Sequence, residues 1–294
     1  MATMQRALCL ALASMPALST AAVNDIYPTD NIPLPDGRKN VALYALNQEG
    51  SGLYTNGKRF PSGEINANLY ALRVGKHYSF GDNGQYTFGP MAVLTWGDQT
   101  PDRTLKNFTF NETSGYGDLR LGSSVWFHID RENREYAMVS ASVLLPTGTY
   151  DKTKLLNLGE NRYRYVLSAG WMRSLSEHWV IDLAPEIVYY GDNTEYLVNK
   201  RKSQDASYAL TGILRFRFTP SFHVYGGTVL NGGGAYKINS TETGAPNNTR
   251  VNAGMMLIDA GKQQVHLRYS QDVSGDNGFR LDREIALRYS AFFD

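Results

Sequence analysis

The chain has 294 residues, with 29 Lys plus Arg against 28 Asp plus Glu and a formal charge of +1. Basic residues that are dispersed rather than clustered between stacking aromatics exclude a nucleic-acid footprint and give no reason to expect a strongly charged partner. With 19 Tyr, 12 Phe and 28 Gly, and no sustained 3.6-residue periodicity past the N-terminus, the composition points to strands and turns in one large all-β unit.

Residues 1–22 follow the order of a secretory signal peptide: Arg6, an apolar stretch over 7–15, Pro16, and small residues ending at Ala21 or Ala22. The stretch is too short to span a bilayer as a helix. Leu8 before Cys9 argues against a lipoprotein signal, and cleavage would remove the single cysteine. A cleaved signal predicts export, here to the outer membrane of a Gram-negative bacterium. Residues 23–40, "VNDIYPTDNIPLPDGRKN", read as an extended leader rich in Pro, Asp and Asn. It could hang in the periplasm or tuck into a lumen, and Ile26, Tyr27, Ile32 and Leu34 make insertion reasonable.

From residue 41 to 294 strand-like segments recur, predicted at 41–46, 65–80, 86–96, 116–129, 135–145, 162–173, 179–190, 206–219, 222–230, 249–258, 264–273 and 279–293. Several alternate almost without fault. In "ASYALTGILRFRFT", Tyr208, Leu210, Leu214, Phe216 and Phe218 share one face and Ser207, Thr211, Arg215, Arg217 and Thr219 the other. Such segments have about the ten residues that a tilted strand needs to cross a bilayer, roughly twice the usual soluble strand. The connections alternate between short (after 80, 129, 173, 219 and 259) and long (47–64, 97–115, 146–161, 191–205, 231–248, and a smaller one at 274–278). Short turns at one end and long loops at the other, with an even strand count, predict a transmembrane antiparallel up-and-down β-barrel of about 12 strands. Mean hydropathy of -0.36 is compatible, since only half of each strand must be apolar. A soluble sandwich would instead bury its apolar rows in a shared core, with loops of mixed length at both ends.

The inward rows would carry Arg120, Arg162, Arg164, Arg215, Arg217, Arg268 and Arg288, with Asp182, Glu186, Asp282 and Glu284. These charges are expected either to pair across strands and fill the interior or to form a constriction favouring anionic or polarisable solutes. Tyr190 and Tyr225, on inward rows, are candidates for stacking against a solute. Trp96, Tyr116, Tyr163 and Tyr189 toward the loops, and Phe80, Tyr86, Trp179 and Phe222 toward the turns, would form interfacial girdles against the outer-membrane lipids and lipopolysaccharide.

The pieces "GYGDLRLGSSVWF", "SASVLLPTGTYD", "NLGENRYRYVLSAGW" and "APEIVYYGDNTEY" resemble the outer-membrane protein family named for the meta-cleavage pathway of phenol degradation. The resemblance covers roughly residues 115–235, and its most specific parts are Gly117-Asp118-Leu119 with Gly122 and the Leu145-Pro146-Thr147-Gly148 segment. It implies a barrel that passes small, often aromatic or apolar, compounds into the periplasm. The final strand also resembles the insertion signal read by the barrel-assembly machinery, with Ile285, Leu287, Tyr289 and Phe293 in one phase and Asp294 after them.

An enzyme is the competing class. A lipid hydrolase would need His near Ser at the loop end, but His77, His128, His178, His223 and His266 all fall beside short turns and read as rim or surface residues. The sequence carries no G-x-S-x-G or H-E-x-x-H pattern, and the loop acids are too scattered for a metal site, so no catalytic residue, metal or cofactor is expected. A structural or adhesive barrel with a closed lumen remains the other alternative to a small-molecule channel.

Overall fold

The computed structural model describes residues 26–102, 111–239, 241–242, 244–259 and 262–294. The signal-peptide expectation lies outside these described residues. Twelve long antiparallel strands close on themselves. We number them β1 Lys39–Thr55, β2 Lys58–Lys76, β3 Tyr86–Pro101, β4 Leu119–Asp130, β5 Glu135–Leu145, β6 Arg164–Ser174, β7 Trp179–Tyr190, β8 Ser207–Arg217, β9 Phe222–Gly233, β10 Asn248–Asp259, β11 Gln263–Gly275 and β12 Gly278–Phe293. Each pairs with its sequence neighbours, and β1 zips against β12 from Lys39↔Phe293 to Tyr54↔Gly278. In hydrocarbon every backbone N–H and C=O needs an internal partner, so closure is the condition for spanning.

Alternation on β8 translates into two environments. Tyr208, Leu210, Leu214 and Phe218 are 61%, 46%, 45% and 55% exposed, while Thr211 and Arg215 between them are 9% and 1% exposed. Strands β4 to β9 have 11 or 12 residues, about 38 Å of chain, which at a tilt near 40° covers the ~30 Å hydrocarbon thickness. Aromatic side chains cluster at the turn end of the wall, where Trp179, Phe216, Phe218 and Phe222 stack edge-on or face-on at 4.8 to 5.6 Å. Tyr116, Tyr163 and Tyr189 are exposed at the loop end.

One expected loop is a strand pair. Residues 47–64 continue the β1–β2 ladder up to Thr55↔Lys58, so these strands reach 17 and 19 residues and raise one side of the wall. The turn is Asn56-Gly57, with φ of 51° and 73°, the doubly left-handed geometry of a two-residue hairpin. Asn-Gly is the strongest short hairpin signal, but Gly50-Ser51-Gly52 breaks the apolar alternation and hides the strands on either side.

Candidate functional site

The lumen is filled by the leader. Residues 26–34 run inside the barrel, fixed to the wall mainly by side chains, and the leader then joins the wall through its backbone, where the Gly37 N–H donates to the His77 carbonyl and the His77 N–H to the Arg38 carbonyl, both at 2.9 Å. The Asp30 carboxylate meets the Arg288 guanidinium at 2.9 Å and Arg73 at 3.7 Å, and its backbone carbonyl accepts from Trp126 Nε1 at 3.1 Å. The Tyr27 ring, 1% exposed, lies between the guanidiniums of Arg268 (4.3 Å) and Arg288 (5.1 Å), edge-on to Tyr44 and His266. Thr29 Oγ1 donates to Gln264 Oε1 at 3.2 Å. Asn31 Nδ2 donates to Asp182 Oδ1 at 3.4 Å. A Cβ on Gly170 would fall 2.0 Å from Asn31 Oδ1, so β6 needs glycine there for the leader to seat.

Below this segment, toward the short turns, a chamber of about 950 Å³ is walled by Ile32 and Leu34 of the leader and by Met172, Arg215, Arg217, Phe218 and other residues of the barrel. Above it lies a chamber of about 180 Å³ among Ile26, Glu160, Arg164, Glu186, Tyr190 and Arg280. A gap of about 70 Å³ runs beside Ile26 and Asp30, against Arg120 and Glu186. The mouth at the long-loop end is narrowed by the β5–β6 loop. Leu158 of that loop packs on Leu46, Ala67, Leu69 and Ala286 of the inner wall.

The family-resemblance motifs form the clasp that folds this loop inward. Asp118 accepts from the backbone N–H of Gly148 and of Glu160, both at 3.0 Å. Thr147 Oγ1 and Thr149 Oγ1 accept from the N–H of Leu119 and Tyr116. Gly148 and Gly159 touch backbone to backbone, so a Cβ on Gly148 would lie 2.7 Å from the Cα of Gly159. The clasp holds Glu160 against Arg162 and Arg164. Burial raises the Glu160 pKa, but the two guanidiniums outweigh it and bring the carboxyl down to about 2.

The residues expected on inward rows are distributed as follows. Arg268 and Glu284 pair at 2.9 Å, with Gln48 and Ser270 completing the carboxylate's bonds at 2.7 and 3.2 Å. Asp182 and Arg215 face each other at 3.9 Å, and Arg120 donates to Ser142 Oγ at 2.9 Å. Arg217 donates to Ser174 Oγ at 2.9 Å. Arg162 stands over the Tyr190 ring at 4.7 Å, and the Tyr190 hydroxyl bonds Ser207, so one face of that candidate stacking ring is taken. Tyr225 is buried against Ile213 and Met256. Ile285, Leu287, Tyr289 and Phe293 are exposed, in the outward row of β12.

Asp282 departs from the expectation. A bulge opposite Glu49 and Gly50 inserts one residue into β12, which leaves Leu281 buried and aims the Asp282 carboxylate at the Ser51 N–H, 2.8 Å away. The histidine reading is corrected too, because His77, His223 and His266 are buried inside the barrel, between 0% and 5% exposed. The sequence reading missed Asp30, Arg73, Glu160 and the Arg250–Asp272 pair at 2.8 Å. Strict alternation from Val251 would have placed Arg250 inward, but nothing in sequence links a leader aspartate to Arg288, 258 positions away. Among the described residues no group of three or more His, Cys, Asp or Glu could hold a metal ion.

One stretch of wall has an interrupted ladder. The β6–β7 ladder stops at Ser168↔Glu186 and resumes at Trp171↔Leu183, skipping Ala169 and Gly170 opposite Ala184 and Pro185. Proline has no N–H to give the ladder. On the outer face an apolar dent of about 630 Å³ lies over this point, among Val125, Val139, Leu167, Ala169, Pro185 and Ile187. Ser140, Ser168 and Glu186 border both that dent and the inner gap, so the two face each other across the sheet where the ladder is interrupted.

The family model described as "Putative MetA-pathway of phenol degradation" matches residues 50–289. The chain belongs to this family. It is also similar to the COG4313 outer membrane channel from Pseudomonas putida F1, at 25% identity and a TM-score of 0.87, covering 92% of this chain and 100% of that one. The transport unit of the autotransporter AIDA-I from Escherichia coli is 10% identical with a TM-score of 0.52, covering 99% and 97%, and shares the fold alone. No curated protein sequence matches. This family member is thus an outer-membrane β-barrel of the channel class.

Proposed function

We propose that the protein passes small aromatic or apolar solutes across the outer membrane passively, after export by a cleaved signal peptide. The single observation that carries this reading is the interrupted ladder at Pro185. There an apolar dent on the lipid face and the lumenal gap share Ser140, Ser168 and Glu186. With the axis occupied by the leader, an apolar solute that enters from the loop side has a lateral way out through a wall lacking two ladder pairs. No covalent step is required of any residue. Inner and outer faces match this role, since the apolar row faces lipid while the charges face inward, toward one another, the leader and the solute. We further propose that the outward row of β12 is the handle for the assembly machinery.

Lipopolysaccharide, not phospholipid, is the barrier to such solutes, so the test is uptake of a radiolabelled monoaromatic by intact cells with and without the protein. Uptake is expected to rise with expression. The variant Ala169→Trp, which fills the outer dent, is expected to lower it while leaving ion conductance unchanged. Equal uptake with and without the protein would return the barrel to a structural role.

A further inference from the structure

We propose that the chamber on the short-turn side is a binding site for organic carboxylates with an apolar body, held by Arg215 and Arg217. Arg215 is 1% exposed, yet its Nε and Nη2 have no hydrogen-bond partner among the described residues. Its acidic neighbour Asp182 stands at 3.9 Å, beyond hydrogen-bond range, and instead accepts from Asn31 of the leader. A buried guanidinium left this way is costly, and an incoming carboxylate relieves it. Arg217 lines the same chamber, and its hydrogen bonds go to the Ser174 hydroxyl and the Glu177 carbonyl, neither of which carries charge. Of the acids on this wall, Asp30 is committed to Arg288, while Glu132 and Glu177 sit on exposed turns. Leu34, Met172, Phe218 and Phe292 give the lining apolar patches among polar side chains such as Asn40, His77, His223 and Gln264, and the volume of about 950 Å³ lies within the range of small-molecule pockets, roughly 300–1,000 Å³.

The molecule contains its own precedent. In the same chamber the leader presents a carboxylate, Asp30, followed by an apolar residue, Ile32, and two lumenal guanidiniums hold it. A free carboxylate with a ring or short alkyl body offers the same combination to the neighbouring pair. The site's part in uptake rests on the channel reading, whereas binding itself does not depend on flux.

The test is calorimetric titration of the purified full chain in non-ionic detergent with benzoate and with benzamide, its uncharged isostere. Benzoate is expected to bind about tenfold or more tightly than benzamide. Arg217→Gln is expected to lose that preference and Arg217→Lys to keep part of it. Because Arg215 is buried and its replacement risks misfolding, Arg217→Gln is the deciding variant, accepted only if its barrel keeps the heat-modifiable migration of the parent. Benzamide binding as tightly as benzoate, or an Arg217→Gln protein with unchanged benzoate affinity, overturns the site. Benzoate binding without any monoaromatic uptake would defeat the channel reading and leave the site standing. Uptake without benzoate binding would do the reverse.

Discussion

Asp30 of the leader and Arg288 of β12 meet at 2.9 Å inside the barrel, 258 positions apart in the chain. Both are largely buried, so removing one charge strands the other, at a cost of about 3 kcal/mol by analogy with other buried pairs. Asp30→Asn is expected to loosen the seat of the leader without disturbing the wall. In planar bilayers the variant should show larger and more frequent current steps than the parent; identical traces would mean that the pair does not hold the segment.

Leu214, 45% exposed, is on the outward row of β8 next to Arg215, which is 1% exposed. If that row faces hydrocarbon, Leu214→Arg should destabilise the folded barrel by about 2–4 kcal/mol. Urea titration of the protein refolded in phosphatidylcholine vesicles measures this. A loss below about 0.5 kcal/mol, ordinary for a water-exposed surface position, would be incompatible with a lipid-facing row.

Gly148→Ala would drive a methyl group to 2.7 Å from the Cα of Gly159 and 2.8 Å from the carbonyl carbon of Gly117, both backbone atoms that cannot swing aside. The clasp should open at a cost of about 1–3 kcal/mol. Protease cleavage within 146–163 is then expected in the variant and not in the parent, with the barrel itself intact. Equal resistance would show that the loop is held by something other than this contact.

Glu160 sets an acid limit on the same loop. Its pKa of about 2 lies below the ordinary carboxylate range, near 4.3, so its contribution is complete above that range and lost as pH falls through about 2. Loop closure, followed by a fluorophore attached at a cysteine replacing exposed Lys152, should be constant from pH 7 to 5 and give way below about 4. In Glu160→Gln this acid transition should vanish. A transition near pH 6 would point to a different group.

How much of this was legible in sequence depends on what sets each feature. The two faces of β8 follow from alternation alone, because a strand has only two sides, and the closed even-stranded barrel follows from the rhythm of short and long connections. Where that rhythm fails, the cause is local. Gly50-Ser51-Gly52 masks the extended β1–β2 hairpin, and the one-residue bulge at 281–283 turns Asp282 away from the phase counted back from Glu284. Periodicity assigns an arginine to a face but not to a partner. Arg268 finds Glu284 on the adjacent strand, whereas Arg288 finds Asp30 on a segment with no period at all. Histidines beside turns go inward where alternation puts them there: His266 shares its face with Arg268 and Ser270, and His223 with Tyr225, whatever their distance from a turn.

The most direct test is single-channel conductance in planar bilayers, for the parent and for a variant lacking residues 26–34, the part of the leader that fills the lumen. A conduit stopped by its own N-terminal segment should conduct weakly in the parent and several-fold more in the variant, provided that the shortened chain still folds to a heat-modifiable barrel. Equal conductance in the two proteins would contradict it.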